Sequence, residues 1–199
     1  LCIMHLRCSD YMGSPELFLR RKYWIQGMKH MRKINPKMEF MIITNDVKEA
    51  GKLLPGIPAC NFDLAKDYSV LKNAKYLLLA NSSFAYFPAF TSDTVEYILA
   101  PKYWARHNVS DGYWASEQNI YAGWHYMDRK GWVFDADTCK EELTQYKKTS
   151  RKYATINVKP TGIRLKLMEL HGQYLYKKAY VCKIARGVKR RLRALTGRK

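Results

Sequence analysis

The sequence predicts an alpha/beta protein built on a parallel sheet with helices on both faces. Three observations carry that expectation. Short, continuous apolar runs recur through the first hundred residues, each closed by a polar turn. Between them lie longer stretches whose apolar residues return at helical spacing. The apolar runs lack polar alternation, as strands do when both of their faces are buried in a parallel sheet. Such an arrangement is Rossmann-like.

Taken in order, "CIMHLR" (2–7) reads as a buried strand that enters the polar turn "CSDYMGSP". Pro15 suits the first turn of a helix reaching about Lys33, with Leu17, Trp24, Met28 and Met31 near one face. "EFMIITND" (39–46) is a second strand and "VKEAGKLL" a short helix. Gly and Pro at 55–58 punctuate the chain before "ACNF", a third strand. "DYSVLKNAKY" (67–76) reads as helix, "LLLA" (77–80) as a fourth strand and "VEYILAP" (95–101) as a fifth. Residues 103–134 are aromatic-rich and read as irregular. "DADTCKEELTQYKKTSRKY" is helical, and from 163 onward Leu167, Leu170, Tyr174, Val181, Ile184, Val188, Leu192 and Leu195 recur at helical spacing among Lys and Arg. The expected division is a Rossmann-like body over 1–135 and a basic helical extension over 136–199.

At 199 residues the chain is long enough for a real core, and 47% hydrophobic and 14% aromatic content argue against disorder. An apolar run at the very start, with no initiator Met, gives the expectation of a downstream part of something longer. The opening residues do not read as a charged-then-apolar signal pattern, and the longest uncharged run, 76–92, holds Asn, Ser and Pro, which argues against a membrane span. Cysteines at 2, 8, 60, 139 and 182 are odd in number, without CxxC or zinc-ligand spacing, and read as free thiols in a reducing compartment. A cytoplasmic location follows. The net charge of +18 is unevenly placed: 151–199 carry 15 Lys and Arg against the single acid Glu169, while the preceding 150 residues carry 20 against 16.

Parallel sheets bind ligands beyond the carboxyl ends of their strands. His5 and Arg7 stand at the end of the first strand, and Asn81-Ser82-Ser83 at the end of the fourth. The guanidinium of Arg7 can grip two phosphate oxygens in a fork and stabilise charge that develops on a leaving diphosphate. The hydroxyls and N–H groups of Ser82 and Ser83 can complete such a cradle. A turn-shaping salt bridge between Arg7 and Asp10 is the competing reading.

"HLRCSDY", then "DYSVLKNAKYLLLANSSFAYF", then "VEYILAPKYW" together resemble the donor half of the family 11 glycosyltransferases, the alpha-1,2-fucosyltransferases and their bacterial relatives. The usual family pattern is an HxRRGDY loop, an acid opening the helix before the last core strand, an ANSSFSWW segment and an apolar strand ending in APxxW. The likeness spans roughly residues 2–105. It implies the GT-B fold, of which this chain is the donor-binding half, a GDP-fucose donor, inversion at the sugar carbon and no catalytic metal or other cofactor. Residue by residue, it implies that His5 and Arg7 serve the diphosphate loop, that Asp67 holds the guanine or ribose, and that Ser82, Ser83 and Phe84 line the phosphate side. The sequence departs from the pattern at Cys8 for the second Arg, Ser9 for Gly, and Ala85-Tyr86-Phe87 for Ser-Trp-Trp. Loss of the second cation leaves the donor sugar less determined than the fold.

The acceptor hydroxyl needs a base on the face opposite the leaving group. Asp10 and Glu16 are the candidates, beside turn capping for Asp10 and helix-entry polarity for Glu16. Asp135-Ala-Asp137 has the form of a metal-binding DxD, but Thr138 to Glu141 fits a capping box, which makes the two acids helix-entry residues. The aromatics of 103–132 suit either sugar stacking or core filling. The basic apolar-striped tail over 160–199 suits an anionic membrane surface on the cytoplasmic side, as for a lipid-linked glycan acceptor, or a helix packed on another domain. Two other functions compete: a remnant that binds nucleotide sugar without transfer, and nucleic-acid binding through the tail, which no RRM, KH, zinc-finger or helix-turn-helix pattern supports.

Overall fold

The computed structural model describes residues 1–12, 17–102 and 119–149, with scattered helical positions between 162 and 188. The chain divides into two compact units, Leu1–Ile156 and Asn157–Lys199. In the first, the strands are β1 (Cys2–Leu6), β2 (Phe40–Thr44), β3 (Ala59–Cys60), β4 (Tyr76–Leu79), β5 (Tyr97–Pro101), β6 (His125–Met127) and β7 (Val133–Asp135). They form one sheet in the order β3-β2-β1-β4-β5-β6-β7. The first six run parallel, and β7 returns antiparallel to β6. The helices are α1 (Arg21–Ile34), α2 (Val47–Leu53), α3 (Leu64–Lys72), α4 (Ser83–Phe90) and α5 (Ala136–Thr149).

The period-two geometry of a strand sorts each apolar run into two cores. Cys2, Met4 and Leu6 join Ile42, Leu78 and Leu99 beneath α1 and α2, where Trp24, Met28, Met31 and Ala50 meet them. Ile3, Ile43, Leu77, Leu79 and Ile98 face the other way, onto Leu71 of α3, Tyr86 of α4 and Cys139 and Leu143 of α5. Burial on both faces explains why β1 is apolar throughout its first three residues yet tolerates His5 only as a neutral, enclosed ring. α1 lies close to the sheet because Gly27 has no side chain: a Cβ there would come within 2.8 Å of both methyls of Leu78.

The five expected strands are present, an alpha/beta architecture compatible with a Rossmann-like fold. Elsewhere the structure corrects the sequence reading. Residues 17–20 are not helical, and α1 begins at Arg21. The extended chain lets both Phe18 and Leu19 pack on the sheet, and the Leu19 carbonyl accepts from Trp24 Nε1 at 3.0 Å. α3 starts three residues earlier than expected because the Asp63 carboxylate caps it, accepting from the Lys66 N–H at 2.9 Å. α4, β6 and β7 were not foreseen. β6 and β7 are three residues each, too short for a periodic signal, and are joined by a turn in which Asp128 Oδ1 accepts from the N–H groups of Lys130, Gly131 and Trp132. The expected boundary after 135 falls at the junction of β7 and α5. α5 buries Ala136, Cys139 and Leu143 in the first unit, so the division lies after 156.

Candidate functional site

A cavity of about 220 Å³ opens at the carboxyl edge of the sheet. His5 and Arg7 reach it from the end of β1, and Ile43, Thr44 and Asn45 from the end of β2. Asn61 and Phe62 come from the link between β3 and α3, Leu64 and Asp67 from the first turn of α3, and Phe84 from the first turn of α4. Parallel strands bring these positions together because every crossover returns the chain to the same edge. The ends of β1 and β4 are tied directly: the Ala80 N–H donates to the His5 carbonyl at 3.0 Å, and Tyr11 Oη donates to the Asn81 carbonyl at 3.3 Å.

His5 is buried, its ring 5.7 Å from that of Phe84, and Nδ1 has no hydrogen-bond partner among the described residues. Burial, with the Arg7 charge adding to it, pushes its pKa down to about 3, so the imidazole is neutral at physiological pH. Arg7 points to the turn beyond the strand, where Nε meets Asp10 Oδ1 and Nη2 donates to Asp10 Oδ2, both at 3.0 Å. Asn45 braces this turn from β2: its Oδ1 accepts from the Cys8 N–H at 2.9 Å, and its Nδ2 donates to Asp10 Oδ1 at 3.2 Å. Between them Ser9 takes φ of 31°, a left-handed conformation that favours glycine.

Asp10 is half taken up by these partners. Burial draws its pKa upward, but the hydrogen bond and charge of Arg7 and the Asn45 amide outweigh that and hold it below the usual carboxylate value. A general base working near neutrality needs the reverse tuning. Glu16 lies outside the described residues. Asp67 is buried in the wall of the cavity, where its Oδ1 accepts from the Phe62 N–H at 3.1 Å. Desolvation raises its pKa; the Phe62 hydrogen bond opposes this, and the charge of Asp63 adds to the rise.

The expected residues therefore part into two groups. His5, Arg7, Asp67 and Phe84 line one cavity, and Asp10 holds Arg7 from outside it. Ser82 and Ser83 open α4 beside the end of β1 but are not among the lining residues; Ser82 is buried as the N-cap without a side-chain cap bond, and Ser83 is exposed. Their neighbour Asn81 is buried, with both side-chain polar atoms unpartnered among the described residues. Thr44, Asn45 and Asn61 were missed. The "TND" and "CNF" that end the second and third strands are polar strand tips of the same kind as "HLR" and carried the signal.

The DxD region has a different role. Asp135 Oδ1 accepts from the Thr138 N–H at 2.7 Å, so Asp135 itself, rather than Thr138, caps α5. Asp137 is exposed on the first turn, 3.7 Å from Lys140 Nζ. Trp124, Tyr121 and Tyr86 fill the core beside α4 with ring centroids 4.6–6.1 Å apart. Residues 103–118, which hold much of the aromatic-rich stretch, lie outside the described residues. No family model, curated protein or solved structure matches the chain.

Proposed function

We propose that the first unit binds a nucleoside diphosphate sugar and that the protein is an inverting glycosyltransferase of the GT-B kind, moving a sugar from a GDP donor, expected to be GDP-fucose, to a glycan hydroxyl. One observation supports this most: His5, Arg7, Asp67 and Phe84, separated by up to 79 positions in the chain, line a single cavity at the carboxyl edge of a parallel sheet. These are positions that the resemblance to the family 11 glycosyltransferases marks for the donor.

The volume is below the ~300–1,000 Å³ of pockets that enclose a whole ligand. It fits one end of a nucleotide sugar, with the remainder along the open edge of the sheet. Arg7 has five N–H donors, of which Asp10 takes two, so a diphosphate has three to meet. A group reaching His5 Nδ1 would satisfy a buried nitrogen whose lack of a partner costs about 1–3 kcal/mol. In transfer, the acceptor hydroxyl oxygen forms a bond to the anomeric carbon as the bond to the diphosphate oxygen breaks, and its proton passes to a carboxylate base, for which Glu16 is the remaining candidate in the sequence. The diphosphate leaves with the bonding pair, and Arg7 stabilises its charge. Asp10, with its lowered pKa, is poorly tuned to take the acceptor proton. The resemblance implies no catalytic metal, and a cytoplasmic site would give access to nucleotide sugars.

The test is calorimetric titration with GDP, GDP-fucose and a UDP sugar, followed by incubation with glycan acceptors and an assay for released GDP. GDP ligands should bind best, and Arg7→Ala should weaken them about 10- to 100-fold, the worth of a charge-assisted contact. Unchanged affinity in Arg7→Ala would overturn the assignment. Binding without GDP release would favour a remnant that holds nucleotide sugar without transfer.

A further inference from the structure

The second unit carries an apolar stripe that is exposed along its whole described length. Ile163, Leu167, Leu170, Tyr174, Val181, Ile184 and Val188 occupy helical positions, and each is 51–79% exposed. Their spacing alternates between four and three residues, with Lys177 at the one interruption, so they share one side of the helix. Aliphatic side chains in such a row are strongly drawn out of water. The same segment is cationic: residues 157–199 hold 13 Lys and Arg, and Glu169 is the only acid.

We propose that this helix is a membrane-surface anchor that lies in the interface of an anionic lipid leaflet, with the stripe among the acyl chains and its lysines and arginines at the headgroups. Charge decides between the possible occupants. A second copy of the helix would cover the stripe but would bring two strongly cationic segments together with almost no acids to pair them. A nucleic acid would answer the charge and leave seven aliphatic and aromatic side chains in water. An anionic bilayer surface meets both needs at once, each basic residue near it contributing about 1 kcal/mol. Basic residues recur through the segment, at Arg164, Lys166, Lys177, Lys178, Lys183 and Arg186, which suits a helix that lies on the surface rather than one that crosses. This inference is independent of the transferase reading.

The test uses the full chain and sedimentation with vesicles of phosphatidylcholine alone or of equal parts phosphatidylcholine and phosphatidylglycerol. The protein should pellet with the anionic vesicles and be released in ~1 M salt, where charges are screened beyond about 3 Å. Leu170→Ser combined with Ile184→Ser, at exposed positions, should lower the partition coefficient roughly tenfold or more. Equal pelleting of parent and double variant would overturn the proposal, as would failure of the parent to pellet with anionic vesicles. So would a dimer in sedimentation equilibrium that the double variant abolishes while vesicle binding stays the same.

Discussion

Arg7 and Asp10 grip each other through two contacts, Nε to Oδ1 and Nη2 to Oδ2, each at 3.0 Å. The pair sits at the mouth of the cavity, so the carboxylate and an incoming diphosphate contend for one cation. Asp10→Asn removes a negative charge from the site while keeping an acceptor for the Asn45 amide. GDP should then bind about 3- to 10-fold more tightly at low salt, the scale of one partly screened charge. Calorimetry checks this. Weaker binding in Asp10→Asn would show that the carboxylate holds the guanidinium in the pose a ligand requires.

Ser9 offers a test of the backbone in the same turn. Its φ of 31° lies where a Cβ is crowded and a β-branched side chain is worst placed. Ser9→Val should destabilise the fold by about 2 kcal/mol. Ser9→Gly relieves the crowding but adds freedom to the unfolded chain and loses the Ser9 hydroxyl contact with Asp46, 3.1 Å away. It should stay within about 1 kcal/mol of the parent. Urea unfolding of both variants settles the point, and equal stabilities would exclude strain at this residue.

Two helical glycines should respond to alanine in opposite directions. At Gly27 the new methyl would come within 2.8 Å of both methyls of the fully buried Leu78. Overpacking of about 1–3 kcal/mol should exceed the roughly 1 kcal/mol gained from better helix propensity. At Gly51 nothing lies within 4 Å of the place an added methyl would take, so Gly51→Ala should gain up to about 1 kcal/mol. Thermal midpoints should fall for the first and rise for the second. A rise in both would mean that α1 can retreat from the sheet at little cost.

The buried His5 predicts a loss of stability on the acid side of neutrality. Its folded pKa, pushed down to about 3, lies below the unfolded value of ~6.5. Between the two, the unfolded chain carries a proton that the folded chain does not. The stabilising contribution is therefore complete above about pH 6.5 and fades as pH falls toward 3, at about 1.4 kcal/mol per pH unit. His30 and His125 are lowered too, chiefly by burial, and add to the upper part of this window. His5→Leu should reduce the slope of unfolding free energy against pH between roughly 6.5 and 5 by about one proton. An unaltered slope would place the proton uptake elsewhere.

The sequence alone determined the strands of the central sheet and the class of fold. Continuous runs such as "CIMHL" and "YLLL" admit few other uses, because burial on both faces demands apolar residues at every position. It also singled out the tips of two strands as candidate ligand positions. It did not reveal α4, whose "SFAYFPAF" is apolar on nearly all sides and shows no period, nor the short hairpin of β6 and β7.

Which polar tips converge was decided by tertiary structure. His5, Asn45, Asn61, Asp67 and Phe84 share a cavity because parallel crossovers deliver their elements to one edge, and that pairing order is a long-range property that local patterns do not encode. The same holds for the caps: Asp135 and Thr138 both suit an N-cap by composition, and only the start of α5 against the sheet selects Asp135. Apolar periodicity is written residue by residue, whereas convergence of distant side chains depends on how the whole sheet is wound.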